Sequence, residues 1–268
     1  MGSTSFTTDG QLWIGSTAVP HTVVGSLTSL DSSVTITNGS GTIDLSTSAS
    51  GGGLSSLKNN PEWFDDFVWG DIVYPGELSW TQVGGGFSPG SPQDNHPGII
   101  TGLQTTPGFI GVSSFAQNYL TDGIFSFECV IQIPVLSTSD DNFEVHIGFM
   151  DAPGIPVANE VSFIYNNTLN SGHWTCVSVL AGGTATVDTG VSVDTDWHNL
   201  KIVCDTLTGI DYYIDGVLVA NIVAGNTPTS PVYWFFYLEK LVDTNSVDSI
   251  LSVDAFYGKI ALTNNRFY

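Results

Sequence analysis

Apolar and polar residues alternate along much of this chain with a period of two. Phe125, Phe127, Cys129, Ile131 and Ile133 fall on one side of an extended run, with Ser126, Glu128, Val130 and Gln132 on the other. Phe143, Val145, Ile147 and Phe149 repeat the pattern, as do Leu200, Ile202 and Cys204. Helical periodicity is almost absent. The pattern predicts strands over 123–133, 143–149, 160–165, 174–180, 184–187, 199–204, 210–214, 217–223, 232–240 and 251–262, punctuated by Gly, Asn, Asp, Ser and Pro. Asp215-Gly216, set between Tyr213-Ile214 and Val217-Leu218, reads as a two-residue hairpin turn, because Gly tolerates positive φ. Strands in this number without intervening helices imply an all-β fold of two antiparallel sheets packed face to face.

The first part of the chain reads differently. Residues 1–57 are rich in Ser, Thr and Gly and carry two β-like phrases, Gln11 to Ser16 and a hairpin of Val34 to Thr37 and Thr42 to Leu45 around Asn38-Gly39-Ser40-Gly41. Gly51-Gly52-Gly53 sits in a linker-like run. So small a β unit cannot bury its own core. It is therefore expected to be an extended N-terminal arm that anchors or oligomerises, with Trp13, Ile14, Val34, Ile36, Ile43 and Leu45 as interface residues, ahead of a sandwich domain at 58–268. Packing of the arm on its own domain is the alternative. In Val232 to Leu238 both faces of the strand are aromatic, which predicts cover from both sides, by the chain itself or by another subunit.

Charge narrows the partners. With 26 acidic and 5 basic residues the net charge is -21. Such a surface repels phosphate backbones, so nucleic acid is not an expected partner. Met1 to Asp9 lacks the features of a secretory leader, and no stretch is long and apolar enough for membrane insertion. Cys129, Cys176 and Cys204, in strand-like contexts and without metal spacing, read as buried free thiols, with one disulfide plus a free Cys as the other option.

Asp194 to Val203 contains Trp197-His198-Asn199-Leu200-Lys201-Ile202, and Asp211 to Ala220 contains Tyr213-Ile214-Asp215-Gly216. Together they resemble a pattern of the concanavalin-A/laminin-G-like superfamily, which implies a jelly-roll sandwich. Further phrases are similar in order to jelly-roll domains of bacteriophage virion-surface proteins. These are Phe64-Asp65-Asp66-Phe67, Leu78-Ser79-Trp80, Asn95-His96-Pro97-Gly98, Ser171-Gly172-His173-Trp174 and Ser252-Val253-Asp254-Ala255-Phe256, with Asp9 to Thr17 and Val34 to Gly41 upstream. The resemblance implies a virion localisation as tail fibre, head fibre or capsid decoration. Its implied partners are itself as a homotrimer, other virion proteins and a host-surface glycan; a stand-alone lectin is the alternative.

For chemistry the reading is negative. Glycoside hydrolysis needs two carboxylates flanking the sugar bond, and in the jelly-roll superfamily they share one Glu-x-Asp-x-(x)-Glu strand. Here Glu128, Glu144 and Glu160 each stand alone on a strand, and Asp65-Asp66 and Asp140-Asp141 are adjacent pairs. His21, His96, His146, His173 and His198 are scattered, with His146 facing away from the Phe143/Val145/Ile147 side. No catalytic residue, no metal site and no enzymatic activity are expected. No cofactor is expected either, with Ca2+ on Asp140-Asp141-Asn142, Asp94-Asn95 or Asp188 as the one candidate. Trp174, Tyr165 and Trp234 are the candidate glycan-binding residues, provided their rings are exposed, while Trp80 and Trp197 are assigned to the core.

Overall fold

The computed structural model describes the backbone of four strands at 11–15, 22–26, 34–39 and 42–47, and residues 60–68, 76–78, 80–114, 117–151, 157–245 and 247–262 in full. The chain divides into two compact units, Met1–Leu57 and Lys58–Tyr268. In the first, β1 (Gln11–Gly15) pairs with β2 (Thr22–Ser26), and β3 (Val34–Gly39) pairs with β4 (Thr42–Thr47), all antiparallel. Gly39 lies opposite Thr42, the register of a two-residue hairpin loop. The side chains of Trp13, Ile14, Val34, Ile36, Ile43 and Leu45 lie outside the described residues, as does His21.

The second unit holds β5 (Glu62–Asp65), β6 (Thr81–Gly84), β7 (Phe87–Pro89), β8 (Ile100–Gln104), β9 (Gly108–Ser113), β10 (Gly123–Gln132), β11 (Phe143–Met150) and β12 (Asn159–Asn166). It continues with β13 (His173–Leu180), β14 (Gly183–Ser192), β15 (Trp197–Asp205), β16 (Gly209–Ile214), β17 (Val217–Val223), β18 (Tyr233–Lys240) and β19 (Ser249–Leu262). Among the described residues the only helical turns are two short 3-10 turns, Leu120–Asp122 and Asn170–Gly172. The first sheet runs β17-β16-β15-β10-β19-β8-β7, with β5 also on β19, and the second runs β14-β13-β12-β11-β18-β9-β6. Every pairing is antiparallel. This is the two-sheet sandwich that the alternation predicts, in the jelly-roll form that the resemblance implies.

Phe125, Phe127, Cys129 and Ile131 of β10 and Phe143, Val145, Ile147 and Phe149 of β11 are all buried in one core between the sheets. All three cysteines are free and buried. β18 splits its aromatic residues between two clusters. Trp234, Phe236 and Leu238 enter the main core, while Phe235 and Tyr237 join Met150 in a small buried cluster on the opposite face. Phe235 and Tyr237 are each 1% exposed within this single chain, so their burial requires no second subunit.

Asp65, the first of the adjacent pair Asp65-Asp66, is a buried hub. Its carboxylate accepts hydrogen bonds from the Phe67 and Leu78 backbone N–H groups, each at 2.9 Å, and from Trp80 Nε1 at 3.1 Å. Trp80 meets Phe256 edge-on with centroids 4.9 Å apart, so the carboxylate fixes a ring at the centre of the core. Replacing Asp65 with Ala strands several donors, two of them in buried surroundings, and is expected to cost roughly 2–4 kcal/mol. Asp66→Ala removes only an exposed bond to Val68 N–H and is expected to be near neutral. Urea unfolding of the two variants checks the contrast.

Candidate functional site

The pleat determines what stands on the outer face of the second sheet. With Phe143, Val145, Ile147 and Phe149 turned inward, Glu144, His146, Gly148 and Met150 of β11 face outward. The neighbouring strand β12 places Asn166 opposite Glu144, Ile164 opposite His146, Ser162 opposite Gly148 and Glu160 opposite Met150. Glu160 reaches back along its strand past the row of Gly148, which puts no side chain in the way. An added Cβ at Gly148 would lie 2.2 Å from the Val161 carbonyl oxygen, so only glycine fits there.

The result is a carboxylate–imidazole–carboxylate cluster. His146 Nε2 lies 2.7 Å from Glu144 Oε1, and His146 Nδ1 lies 2.7 Å from Glu160 Oε1. Ser162 Oγ donates to the same Glu160 oxygen, and Asn166 Nδ2 donates to Glu144 Oε2 at 3.3 Å. Burial opposes a charge on His146, but Glu160 and Glu144 overcome it and raise the imidazole to a pKa of about 9. Burial likewise works against the Glu144 carboxylate, yet its bond to His146, the imidazolium charge and Asn166 hold it below its usual value. At neutral pH the proton therefore sits on the imidazole and the negative charge on Glu144. Tyr237 abuts His146 edge-on at 5.7 Å and donates its hydroxyl to Glu239 Oε2 at 2.8 Å. Burial, that acceptor and the charges of Glu239 and Glu144 all push the phenol up, so it stays a donor.

Beside the cluster a pocket of about 380 Å3 opens over β11 to β14, lined by Glu144, His146, Glu160, Ile164, Thr175 and Val177 among others. That volume lies in the range of about 300–1,000 Å3 typical of small-molecule sites, and the mix of aliphatic walls with a few convergent polar groups is equally typical.

Other predicted residues lie elsewhere. Trp174 is 0% exposed, Tyr165 2% and Trp234 4%, all in the main core. Their expected glycan contact is corrected: a stacking ring needs a free face, and these three are packed between the sheets. Trp197 departs from its core assignment, being half-buried and stacked on His96 with centroids 4.1 Å apart. Glu128 is on the outer face of the first sheet, 3.2 Å from Lys201 Nζ. His173 pairs with Asp188 at 3.1 Å, and His198 lies between Asp194 at 3.0 Å and Asp215 at 2.7 Å.

Near the Asp140-Asp141-Asn142 loop lies the ammonium of buried Lys240. It lies 2.9 Å from Asp243, 3.9 Å from Asp141 and 3.4 Å from the Thr105 carbonyl oxygen, and it also donates to the Val247 carbonyl. Asp188 is held by His173 and the Gly190 N–H, and Asp94-Asn95 forms the turn bridged by Gln93 and His96. Among the described residues no group of three or more His, Cys, Asp or Glu side chains is arranged to hold a metal ion.

Fold and site together define a concanavalin-A-like jelly roll with a polar cluster on one outer face. No protein-family model and no curated protein sequence matches the chain. Solved structures do match in fold. A Bacillus licheniformis β-glucanase shares 13% identity over 74% of this chain and 97% of its own, with a TM-score of 0.52. A Mycobacterium marinum β-1,3-glucanase shares 13% over 73% and 97%, with a TM-score of 0.51. A botulinum neurotoxin type C structure, whose cell entry is described as dependent on two ganglioside molecules, shares 11% over 80% of this chain and 51% of its own, with a TM-score of 0.52.

The β-glucanases overturn the expectation that the chain is no enzyme, because this architecture houses glycan hydrolysis. Glu144 and Glu160 stand alone on their strands but meet at one imidazole across them. The detectable signal was the parity of Glu144 and His146, two residues apart on one strand face; the partnership of Glu160 needed the strand pairing.

The cluster also predicts a pH dependence. His146 is raised above its unfolded value of about 6.5, so its contribution to stability is fully present below that pH. It is lost as pH rises through about 9. Thermal unfolding midpoints between neutral pH and pH values above the imidazole's are expected to fall for the wild type and to change less for His146→Gln. Parallel profiles for the two proteins would contradict this.

Proposed function

We propose that the jelly-roll unit binds a glycan on the outer face of its second sheet, at the pocket beside Glu144, His146 and Glu160. The observation that carries this reading is the cluster itself. It sets a charged acceptor, Glu144, with 21% of its side chain exposed, at the edge of an aliphatic pocket of suitable volume. Saccharides offer both hydroxyl donors and apolar C–H faces, and such a wall complements both. The fold's likeness to two β-glucanases and to a ganglioside-dependent toxin supports the same direction. Among the described residues that line the pocket none is Lys or Arg, which favours neutral over acidic saccharides.

Titration calorimetry with β-1,3-linked gluco-oligosaccharides tests the reading. The wild type is expected to bind, and Glu144→Gln to weaken binding by about tenfold or more, the loss of one charge-assisted hydrogen bond. No binding of any oligosaccharide by the wild type, or undiminished binding by the variant, would count against it.

A second reading, hydrolysis of the bound glycan, is favoured by the protonation pattern. An ionised Glu144, held below its usual value by His146 and lining the pocket with its exposed edge, is a base within reach of a bound substrate. Release of reducing ends from a β-1,3-glucan is then expected, reduced at least about 100-fold in Glu144→Gln. Wild-type release no faster than buffer would exclude this second reading and leave binding intact.

The proposed setting is display on a virion, as tail fibre, head fibre or capsid decoration, with the first unit forming a homotrimer. That setting rests on the ordered sequence phrases alone. Light scattering of the whole chain is expected to give a concentration-independent trimer, and a stable monomer would oppose it.

A further inference from the structure

Four strands of the second sheet bring Phe109, Glu239, Glu144 and Asn166 into one row across its outer face. Phe109 of β9 is the register partner of Glu239, Glu239 of Glu144, and Glu144 of Asn166. Neighbouring strands are about 4.8 Å apart, so Phe109 stands about 10 Å from Glu144 along the row. Its neighbours Ile110 and Val112 face the core, while Phe109 remains 37% exposed.

The ring is nevertheless held in place. It stacks on Tyr237 with centroids 5.7 Å apart and planes 25° apart. Tyr237 is tied by its hydroxyl to Glu239 and lies edge-on against His146. On the side of β6, Gly84 has φ +70, and a Cβ there would approach the Phe109 ring to 3.0 Å. Glycine thus leaves the space the ring uses. One face of Phe109 is backed by an anchored tyrosine, and the exposed part of the ring adjoins a row of acceptors leading to the pocket.

We infer that Phe109 is a stacking platform for the distal sugar of an extended neutral glycan lying across the strands, its other end in the pocket beside Glu144 and His146. The inference rests on the glycan reading above and adds the direction of the chain and its far contact. The C–H face of a pyranose covers the exposed ring, while Glu239 and Glu144 accept hydroxyl hydrogens between the platform and the pocket. A disaccharide held in the pocket falls short of Phe109, whereas a hexasaccharide spans the row.

The test compares a β-1,3-linked glucose disaccharide and hexasaccharide on the wild type, Phe109→Ala and Phe109→Trp by titration calorimetry. Phe109→Ala is expected to weaken the hexasaccharide about tenfold, leave the disaccharide unchanged, and be reversed by Phe109→Trp. Equal hexasaccharide affinity in wild type and Phe109→Ala, with Glu144→Gln still weakening it, overturns the platform while the glycan reading stands. An equal loss for both saccharides in Phe109→Ala also overturns it, since a distal platform cannot act on the short ligand. Absence of binding by the wild type overturns both.

Discussion

The constraint on which the outer face depends is the two-residue period of the strand. Once Phe143, Val145, Ile147 and Phe149 are committed to the core, Glu144, His146 and Met150 have no choice of side. The same holds on β18, where burying Trp234, Phe236 and Leu238 turns Phe235, Tyr237 and Glu239 outward. A hydrophobic core rich in aromatic rings thereby fixes the positions of polar groups outside it. Slipping β11 by one residue would bury Glu144 and His146 and expose four large apolar side chains. The packing energy that opposes the slip also holds the cluster in register.

That register has an electrostatic consequence. In a chain with a net charge of -21, an outward carboxylate is ordinarily one more repelling charge. At β11 and β12 two of them converge on a buried imidazole, which takes up a proton and offsets one negative charge. Ser162 donates to the Glu160 oxygen that also faces His146, and Asn166 to the second oxygen of Glu144, and the low-dielectric setting strengthens these bonds. Lys240 applies the same logic at the rim, where a buried ammonium gathers Asp141, Asp243 and loop carbonyls.

Much of the fold was legible because it is written in local alternation. The runs that became β10, β11 and β15, and the Asp215-Gly216 hairpin with Ile214 opposite Val217, need only neighbours in sequence. The early strands β5 to β9 were missed: they are short, and Gly84, Gly102, Gly111 and Pro89 interrupt any period. The site was less legible, for a related reason. Glu144 and Glu160 sit on different strands and meet only through antiparallel pairing. The choice of Trp174, Tyr165 and Trp234 failed because residue type does not reveal which face of a strand is covered. Phe109 went unremarked because its partner Tyr237 lies on β18, far along the chain, and only the sheet order makes them neighbours.

The presence of the cluster is not explained by stability. Removing ionised groups from water costs several kcal/mol per ion, and mutual attraction only roughly offsets it. Apolar residues of similar volume at 144, 146 and 160 would continue the aliphatic wall of Ile164, Val177 and Val179 and pack at least as well. A sandwich needing only to fold has no use for a charged triad at the mouth of a pocket. A sandwich that must hold hydroxyl groups there, or move a proton between them, has a direct one. Its placement separates it from the hub at Asp65. That carboxylate is spent entirely on the protein's own donors, whereas Glu144 retains an exposed edge facing the pocket.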